Sequence, residues 1–387
     1  MKVFIIAGEM SGDKLGAALM AGLAQLEPDV SFDGVGGERM AGQGLNSRFP
    51  MEELSVMGLV EILPKYFHFK KRIREMANAV IQAKPDVLIT IDSPEFCLRV
   101  AKQVKSQSDI RTVHYVAPSV WAWRPKRAAK MAPFVDQVLA LLPFEPPYME
   151  SEGMRCDFVG HPVVAEQQAS ESDAAEFRLQ ADIGDAPLLM VLPGSRQGEI
   201  KRLGKTLGKV LAEALFLQSD LRIVVPAARP VAGEVEEMVR EWELPTEVVV
   251  LDPRDHSPED FAWMKLAAFK TADAALAASG TVSLELAAAG TPMVIAYDMN
   301  PVSRFFISRM LRVDTATLVS LVSETRVIPE FLGKDCRPEF ITPAVLETLN
   351  NPIDQITAMR LTMQRLGAGS EPPGLRAAKA VLDGLKD

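Results

Sequence analysis

Four short segments of this sequence place glycine, hydroxyl and charged side chains where they can bind an anion or move a proton. Three are glycine-containing turns, at residues 8–13, 193–199 and 278–285. Glycine lets a ligand approach the backbone closely, and free N–H groups at the start of a helix attract negative charge. The fourth segment, residues 91–96, offers a carboxylate at the end of an apolar run. Together they indicate phosphate binding and acid–base chemistry.

The first turn has the sequence GEMSGD and lies between an apolar run and a helical pattern. It lacks the G-x-G-x-x-G spacing of a dinucleotide site, so that cofactor class is not indicated. Two interpretations stay open: a site for an anion or sugar, or a tight turn capped by Ser11 or Asp13. The candidate substrate contacts are Gly8, Glu9, Ser11, Gly12 and Asp13.

The second turn, PGSRQGE, occupies the corresponding position after the first apolar run of the second half. Arg196 adds a planar guanidinium that matches the oxygens of a diphosphate, beside backbone N–H groups expected to be exposed. The alternative is that Arg196 only pairs with a surface carboxylate such as Glu199. We favour ligand contact, with Gly194, Ser195, Arg196 and Glu199 as the candidate residues.

The third turn, ASGTVSLE, opens an alanine-rich helical pattern. Backbone N–H groups at Ser279, Gly280 and Thr281 lie at the positive end of the helix dipole, where phosphate oxygens fit. Glu285 lies one turn deeper on the face of Thr281, where its carboxylate can accept hydrogen bonds from ribose hydroxyls. The alternative is an N-capped helix that carries an incidental glutamate.

The carboxylate of the fourth segment belongs to Asp92. Pro94 suits the first position of a helix, which makes Ser93 the better N-cap and leaves Asp92 available. An available carboxylate suits a general base that removes a proton from an acceptor hydroxyl. A structural aspartate bonded to neighbouring loop amides is equally consistent with these residues.

Short apolar runs alternate with longer amphipathic stretches, and the runs position all four segments. The runs are residues 3–7, 87–91, 112–116 and 138–142 in the first half, and 188–192, 221–225, 247–251, 274–277 and 292–296 in the second. This alternation predicts an α/β protein with parallel sheets. Since ligands bind beyond the carboxyl ends of such strands, we expect two doubly wound Rossmann-like domains that face a cleft.

The chain of 387 residues is longer than one hydrophobic core usually organises. A polar stretch at residues 166–185 separates the two halves, which predicts domains of residues 1–165 and 166–350. Residues 351–387 carry two helical patterns around a Gly- and Pro-rich break. We expect this tail to pack on the first domain or to be exchanged in a dimer.

Charge and composition exclude several classes of protein. The 42 basic and 51 acidic residues give a net charge of −9, which argues against a general nucleic-acid binder. Three distant cysteines and four dispersed histidines form neither a disulfide framework nor a metal motif, so we predict no metal and no cofactor. Cysteine usage fits the reducing cytoplasm, and the apolar stretches are too short to span a bilayer.

Two stretches are basic and apolar together, at residues 65–74 and 304–312. Such clustering is typical of helices that rest on anionic headgroups, although two ordinary amphipathic helices with solvated basic faces are the alternative. The candidate membrane-facing residues are Lys65, Phe67, Phe69, Lys70, Lys71, Arg72, Arg304, Phe305, Phe306 and Arg309.

Read together, these motifs resemble the bacterial lipid-A-disaccharide synthase family. The resemblance runs from Val3 to about Cys336 and includes the four segments above, residues 51–58 (MEELSVMG), 142–145 (LPFE) and 159–162 (VGHP). Its most specific part is residues 118–124 (PSVWAWR), because two tryptophans so spaced are rare by chance.

The resemblance implies an inverting GT-B glycosyltransferase. Such an enzyme moves 2,3-diacylglucosamine from UDP-2,3-diacylglucosamine to 2,3-diacylglucosamine 1-phosphate, giving a β-1,6-linked lipid A disaccharide 1-phosphate and UDP. By motif position, Asp92 matches the family's base, Arg196 its diphosphate contact, and Ser279 to Thr281 with Glu285 its nucleotide-binding elements. The resemblance also implies peripheral association with the inner membrane and a homodimer with exchanged C-terminal segments.

One departure from the family pattern lies at residues 318–321, where LVSL stands in place of a segment containing Leu-Pro-Asn. Ser320 therefore replaces an asparagine, and no role is assigned to it. Two rival functions remain to be distinguished: a UDP-sugar 2-epimerase of the same architecture, which needs no second sugar, and a non-catalytic lipid-sugar binding protein, which would not turn over.

Overall fold

Each half of the chain folds around its own six-stranded parallel sheet, as the alternation of apolar runs and amphipathic stretches predicts. The computed structural model describes residues 1–54, 59–123, 125–278, 282–299 and 313–386, and for residues 59–66 only the course of the backbone. The chain divides into two compact units, Met1–Ala165 with Leu366–Asp387, and Glu166–Arg365. The predicted two-domain α/β fold is confirmed.

The first unit has the strand order β2-β1-β3-β4-β5-β6. Its strands are β1 (Lys2–Ala7), β2 (Ser31–Val35), β3 (Val87–Ile91), β4 (Arg111–Tyr115), β5 (Gln137–Ala140) and β6 (Arg155–Phe158). Helices on both faces bury the central strands, so β3 is buried along its whole length. The helices that precede the second unit are α1 (Met10–Leu26), α2 (Glu38–Ala41), α3 (Leu59–Ala83), α4 (Pro94–Lys105), α5 (Lys126–Met131) and α6 (Pro146–Glu150).

A topological switch point lies at the carboxyl end of β1. The chain places β2 on one side of β1 and β3 on the other, so the loops after β1 and β3 separate and leave a crevice of the kind in which ligands bind. Ala7 pairs with Ile91 across these strands. The next residues along the two strands are Gly8 and Asp92, which therefore begin the two loops.

The second unit has the strand order β12-β11-β10-β7-β8-β9. Its strands are β7 (Leu188–Leu192), β8 (Arg222–Pro226), β9 (Val248–Leu251), β10 (Ala274–Ala277), β11 (Met293–Tyr297) and β12 (Glu330–Leu332). Its described helices are α7 (Glu171–Gln180), α8 (Gln197–Leu217), α9 (Ala232–Arg240), α10 (Pro258–Thr271), α11 (Val282–Ala289), α12 (Leu318–Ser323), α13 (Pro338–Asn350) and α14 (Ile353–Arg365). Its switch point lies between β7 and β10, where Leu192 pairs with Ala277.

The predicted tail of residues 351–387 divides between the units. Its first helix, α14, packs on α11 and α12 in the second unit, where the Gln355 side chain accepts a hydrogen bond of 2.7 Å from the Met293 backbone N–H. Its last helix, α15 (Pro373–Gly384), packs on α1 in the first unit. The approach of α15 to α1 is so close that a Cβ on Gly22 would lie 2.7 Å from the Gly374 carbonyl oxygen.

Candidate active site

The turn that carries Asp92 has an unusual backbone. Asp92 and Ser93 both adopt the left-handed region, with φ of 48° and 41°. Non-glycine residues adopt this region at a cost, and such positions cluster at functional sites. Ser93 occupies the N-cap position of α4 but makes no side-chain capping bond, in contrast to the prediction. Its hydroxyl lies against Gly8 instead, where a Cβ would collide with it.

The side chain of Asp92 is half-buried at the carboxyl edge of the first sheet. Burial raises the pKa of this carboxyl above its ordinary value, against the opposing effects of the Ser93 backbone N–H and the positive charge of Arg127. A carboxylate of raised pKa is a stronger proton acceptor, which suits a general base. The Ser93 amide also gives Asp92 the loop contact expected of a structural aspartate.

The glycine turn after β1 contains the buried carboxylate of Asp13, which accepts hydrogen bonds from the protein's own backbone. Asp13 accepts hydrogen bonds from the backbone N–H groups of Gly37 at 2.8 Å, Arg39 at 3.0 Å and Met40 at 3.1 Å. Both carboxylate oxygens of Asp13 thus bond residues at the start of α2, which gives this residue a structural role, and its contact with substrate stays a prediction.

The other candidates of this turn differ in exposure. Helix α1 begins at Met10, so Ser11 and Gly12 lie in its first turn. Gly12 is buried, and a Cβ there would lie 3.3 Å from the Ala7 side chain. Gly8 is buried beside Ser93, Glu9 is half-buried, and Ser11 is exposed. Among the candidate contacts of this turn, Ser11 is thus the exposed side chain and Glu9 the half-buried one.

The switch point of the second unit opens into a cavity of about 460 Å³. The volume lies within the range of about 300–1,000 Å³ usual for small-molecule sites. It is lined by Leu192, Pro193, Gly194, Ser195, Arg196, Glu199, Pro226, Ala227, Ala228, Phe261, Lys265, Ala278, Val282 and Glu285. The structure thus brings together predicted residues from the second and third turns. The sequence analysis missed Phe261 and Lys265 on α10.

Glu199 shapes the loop between β7 and α8 from within. Its buried carboxylate accepts hydrogen bonds from the backbone N–H groups of Ser195 at 3.0 Å and Arg196 at 3.3 Å. Gly194 has φ of 112°, and a Cβ there would collide with this carboxylate. The expectation that these two N–H groups face a ligand is wrong, because Glu199 already accepts their hydrogen bonds.

The guanidinium of Arg196 reaches the cavity. Its side chain is 71% exposed, and its Nη1 atom lies 3.4 Å from Oε1 of Glu199. This contact is long and its guanidinium is largely exposed, and the buried Glu199 carboxylate keeps the hydrogen bonds from the Ser195 and Arg196 backbone when the Arg196 side chain turns towards a ligand. The pairing with Glu199 is therefore observed, and ligand contact by Arg196 stays a prediction.

Glu285 has a charged partner that the sequence did not indicate. Nζ of Lys265 donates to Oε2 of Glu285 at 2.7 Å, and both side chains are half-buried in the cavity wall. The same ammonium lies 5.1 Å from the centre of the Phe269 ring. A lysine twenty residues before a glutamate forms no motif, so only the packing of α10 on α11 reveals the pair. Ser279, Gly280 and Thr281 lie outside the described residues.

The first basic apolar stretch lies on α3, where its side chains have two different environments. Phe67 is 82% exposed, and Lys70 and Lys71 are also exposed. The side chain of Lys65 lies outside the described part of the chain. Phe67, Lys70 and Lys71 are therefore exposed candidates for contact with an anionic surface.

Two residues of this stretch face the protein instead. The Phe69 ring packs edge-on against Phe96 at 5.4 Å. Arg72 donates to Glu53 at 2.8 Å and lies 4.4 Å from the centre of the Phe49 ring. Both side chains are half-buried and contact residues of the first unit, and their role at a membrane stays a prediction. Arg304, Phe305, Phe306 and Arg309 lie outside the described residues.

Ser320, where the sequence departs from the family pattern, is fully buried on α12. The Thr317 hydroxyl caps α12 by accepting a hydrogen bond of 3.3 Å from the Ser320 backbone N–H. The Ser320 hydroxyl in turn accepts a hydrogen bond of 2.7 Å from the Thr317 hydroxyl. Oγ1 of Thr317 also lies 2.8 Å from Oε1 of Glu330, so its single hydroxyl proton is shared between these two acceptors. Ser320 thus belongs to a buried hydroxyl–carboxylate cluster.

Neither a membrane span nor a metal site is found in the part of the chain that the structure describes. Within the described ranges, no helix is both long and apolar enough to cross a bilayer. Nor do the described side chains include a group of three or more histidine, cysteine, aspartate or glutamate residues placed to hold a metal ion. Cys97 and Cys156 are buried, and burial raises the pKa of both thiols.

The sequence matches known proteins along nearly its whole length. A family model described as lipid-A-disaccharide synthetase matches residues 3–375. A lipid-A-disaccharide synthase from Ruegeria pomeroyi is 62% identical over 385 residues, which cover 100% of this chain and 96% of the relative. Another from Rhodospirillum centenum is 45% identical over 387 residues, covering 98% and 94%. The chain belongs to the lipid-A-disaccharide synthase family.

Membership in this family confirms the resemblance drawn from the motifs and makes the chain a glycosyltransferase. Solved structures share the fold at low identity. A UDP-GlcNAc 2-epimerase from Neisseria meningitidis bound to UDP-GlcNAc has a TM-score of 0.59 and 13% identity, covering 100% of both chains. The UDP complex of MnaA from S. aureus has a TM-score of 0.62 and 14% identity, covering 100% of this chain and 96% of that one. The fold is thus shared with a UDP-GlcNAc 2-epimerase. The family match nevertheless favours a lipid-A-disaccharide synthase over the epimerase and over the non-catalytic binding protein.

Proposed function

We propose that this chain transfers 2,3-diacylglucosamine from UDP-2,3-diacylglucosamine to 2,3-diacylglucosamine 1-phosphate, with inversion at the anomeric carbon. The products are the β-1,6-linked lipid A disaccharide 1-phosphate and UDP. The observation that carries this proposal is the family match over residues 3–375. The cavity of the second unit and the carboxylate after β3 supply groups that suit the two substrates.

The donor nucleotide binds in the cavity of the second unit. Glu285 accepts hydrogen bonds from the ribose hydroxyls, and Arg196 contacts the diphosphate. The N–H groups of Ser279, Gly280 and Thr281 complete the phosphate contacts, as the sequence pattern indicates. The supporting geometry is that Arg196 and Glu285 line one cavity at the switch point of the sheet. Glu199 acts indirectly, by holding the loop that carries Arg196.

The chemical step is a direct displacement. Asp92 takes the proton of the acceptor's 6′-hydroxyl while the oxygen of that hydroxyl forms a bond to the anomeric carbon of the donor. The bond between that carbon and the diphosphate oxygen breaks, and its electron pair leaves on UDP. Arg196 stabilises the growing negative charge, an electrostatic contribution whose loss usually lowers the rate by about 10² to 10³-fold. The raised pKa of Asp92 supports its assignment as the base.

The chain associates peripherally with the anionic cytoplasmic face of the inner membrane through α3. Exposed Phe67, Lys70 and Lys71 support this proposal. Replacing both lysines by glutamate should abolish flotation with anionic vesicles, whereas the charge-matched control Lys84→Glu with Lys102→Glu, also exposed in the first unit, should not. Equal flotation of both variants would remove α3 from this role.

The family resemblance also supports a homodimer with exchanged C-terminal segments. The segment Leu366–Asp387, which rejoins the first unit after the second, is the part available for exchange. Light scattering on the purified chain should give twice the 42.3 kDa mass of one copy. A mass of one copy at micromolar concentration would contradict the dimer.

Mass spectrometry of reaction mixtures tests the proposed reaction. With both lipid sugars the protein should form disaccharide 1-phosphate and UDP over many turnovers. With UDP-2,3-diacylglucosamine alone it should form no disaccharide and leave the sugar configuration unchanged. An altered sugar without acceptor would support an epimerase, and stoichiometric binding without UDP release would support a binding protein.

A further inference from the structure

Two motifs that carry the family resemblance, residues 118–124 and 142–145, have no part in the mechanism above, yet the structure joins them. Nε1 of Trp121 donates to Oε1 of Glu145 at 3.2 Å. The Trp121 ring also meets Phe144 edge-on, with ring centres 5.3 Å apart and planes at 89°. The aromatic loop, defined as residues 117–123, is thus attached through Trp121 to the connection after β5.

Glu145 makes this attachment from a buried position. Its residue is only 4% exposed, and Oε2 accepts a second hydrogen bond, of 3.0 Å, from the Leu142 backbone N–H. A buried carboxylate is costly unless its oxygens accept hydrogen bonds. Glu145 has two such donors, one from the aromatic loop and one from its own connection, so it links the loops that follow β4 and β5.

These loops lie at the same edge of the first sheet as Asp92. The backbone N–H of Asp92 donates to the Tyr115 carbonyl at the end of β4, and that of Val116 donates to the Leu139 carbonyl on β5, each at 3.0 Å. Val116 has φ of 82°, which is rare for a β-branched residue. This backbone turn leads into the aromatic loop, whose Val120 is buried in the core. The loop is therefore a packed element beside the proposed base.

We propose that Glu145 is a positioning residue that holds Trp121 as part of the wall of the acceptor-sugar site. The inference rests on the proposed function, which places the acceptor hydroxyl at Asp92. An indole offers a large, rigid apolar face with one polar edge. Glu145 accepts from that polar edge, which fixes the orientation of the ring and leaves a face of the half-buried side chain to pack on a sugar.

The hydrogen bond between Glu145 and Trp121, called the tie below, depends on whether the Glu145 carboxyl is ionised. Burial raises the pKa of Glu145 to about 7, against the hydrogen bonds from Leu142 and Trp121. Above this pH the ionised carboxylate accepts both hydrogen bonds, and protonation weakens the tie.

Other titratable groups lie on the two elements that follow β5, strand β6 and helix α6. Cys156 on β6 senses the charge of Glu145, but burial raises the thiol pKa well above neutrality. The remaining titratable residues of β6 and α6 are the ion pair of Arg155 with Asp157, and the exposed Tyr148 and Glu150. A transition near pH 7 that is lost in Glu145→Gln and retained in Glu150→Gln is therefore assigned to Glu145.

A fluorescence titration of the substrate-free protein tests the tie. Tryptophan emission of the wild type between pH 5 and 9 should show a transition near pH 7. Glu145→Gln, which cannot titrate, and Trp121→Phe, which removes the indole N–H, should lack it. Glu150→Gln, on the exposed surface of the same helix, should retain it. A transition that persists in either of the first two variants, or its absence from the wild type, would overturn the proposal.

Steady-state kinetics with the two lipid sugars test the role in acceptor binding. Glu145→Gln and Trp121→Phe should each raise the acceptor KM about tenfold while the donor KM and the Kd for UDP stay within twofold. The double variant should add no further loss, since the two residues act through one hydrogen bond. An acceptor KM within twofold of wild type in Trp121→Phe would overturn the proposal, and this variant serves as the test if Glu145→Gln unfolds.

The two experiments separate this inference from the proposed function. If the tie titrates as expected but no disaccharide forms, the proposed reaction fails and the structural tie stands. If disaccharide forms and the acceptor KM does not respond, the reaction stands and the positioning role is wrong.

Discussion

At the switch point of the first unit, the Asp92 carboxyl is half-buried, and burial is the main cause of its shifted pKa. At the switch point of the second unit, the charged side chains of the cavity form ion pairs. The Arg127 guanidinium lowers the pKa of Asp92 from nearby but forms its ion pair with Glu95, at 3.2 Å. In the second unit, Lys265 contacts Glu285 at 2.7 Å, and Arg196 contacts Glu199 at 3.4 Å. The same topology therefore carries two different electrostatic environments.

This difference matches the chemistry proposed for each unit. A base must accept a proton, and a close cation would lower its pKa, so partial burial without a direct ion pair keeps it effective. A nucleotide site needs a positive group for the diphosphate and an oriented carboxylate for the ribose, and the cavity wall of the second unit holds Arg196 and Glu285 for these two roles. Substitutions in each unit test this division.

Asp92→Asn should lower kcat about 10³-fold, because it removes the proton acceptor, within the range of general base catalysis. Its Kd for UDP should stay unchanged, since the nucleotide binds in the other unit. Product formation measured by mass spectrometry and UDP binding measured by calorimetry check both values. Asp109→Asn, exposed before β4 in the same unit, is the matched control and should retain full activity. Near-normal turnover of Asp92→Asn would remove this residue from the role of base.

Arg196→Ala should lower kcat about 10²-fold, because the charge that grows on departing UDP loses its guanidinium. Arg196→Lys should recover part of the rate, since the charge returns without the planar fork. Arg240→Ala, which removes another exposed arginine of an ion pair in the same unit, should have no effect. If Arg196→Ala and Arg240→Ala had equal rates, the cavity would not be the donor site.

Lys265→Met should weaken UDP binding about tenfold, because Glu285 loses the partner that orients its carboxylate for the ribose. The same loss should appear for uridine, which has the ribose and lacks phosphate. Calorimetry with UDP and uridine distinguishes this role from a direct phosphate contact, for which only UDP binding would weaken. The control Lys270→Met removes a lysine from the same helix that pairs with Glu171 instead.

The pH dependence of kcat/KM gives the smallest effect. Because burial raises the pKa of Asp92, the rate should fall as acidification protonates the carboxylate, at a pH above the ordinary value of 3.8. Arg127→Met should move this acid limb to higher pH, since the cation that lowers the pKa is lost. Arg99→Met is a close control, because Arg99 also pairs with Glu95 but is not among the groups that shift Asp92. Equal shifts in both variants would assign the effect to Glu95.

The segments of the site could be located from sequence because each follows an apolar run long enough to form a buried strand. Strands β1, β3, β7 and β10 form where those runs predicted, and parallel topology then gathers the loops at the carboxyl edges. Strand β2 was missed because its sequence, SFDGV, mixes polar residues into a sheet edge. Strand β12 was missed because it contains only three residues.

The contacts inside the site depend on tertiary packing that no local pattern specifies. Asp13 bonds residues 37–40, Lys265 meets Glu285, and Trp121 meets Glu145, each across at least twenty residues of chain. Glu199 is an exception, since a glutamate at the third helical position is typical of a capping box and could have been recognised. The sequence therefore indicated where chemistry occurs more reliably than which side chains remain free for it.

Hydrogen exchange with and without UDP tests most directly whether the nucleotide belongs to the second unit and the base to the first. UDP should slow exchange in peptides that cover residues 193–199 and 278–285 and leave residues 90–96 unchanged. Acceptor sugar phosphate should slow exchange at residues 90–96 and leave residues 193–199 unchanged. Protection of residues 90–96 by UDP, with no change at residues 193–199, would contradict the division of the two substrates between the units.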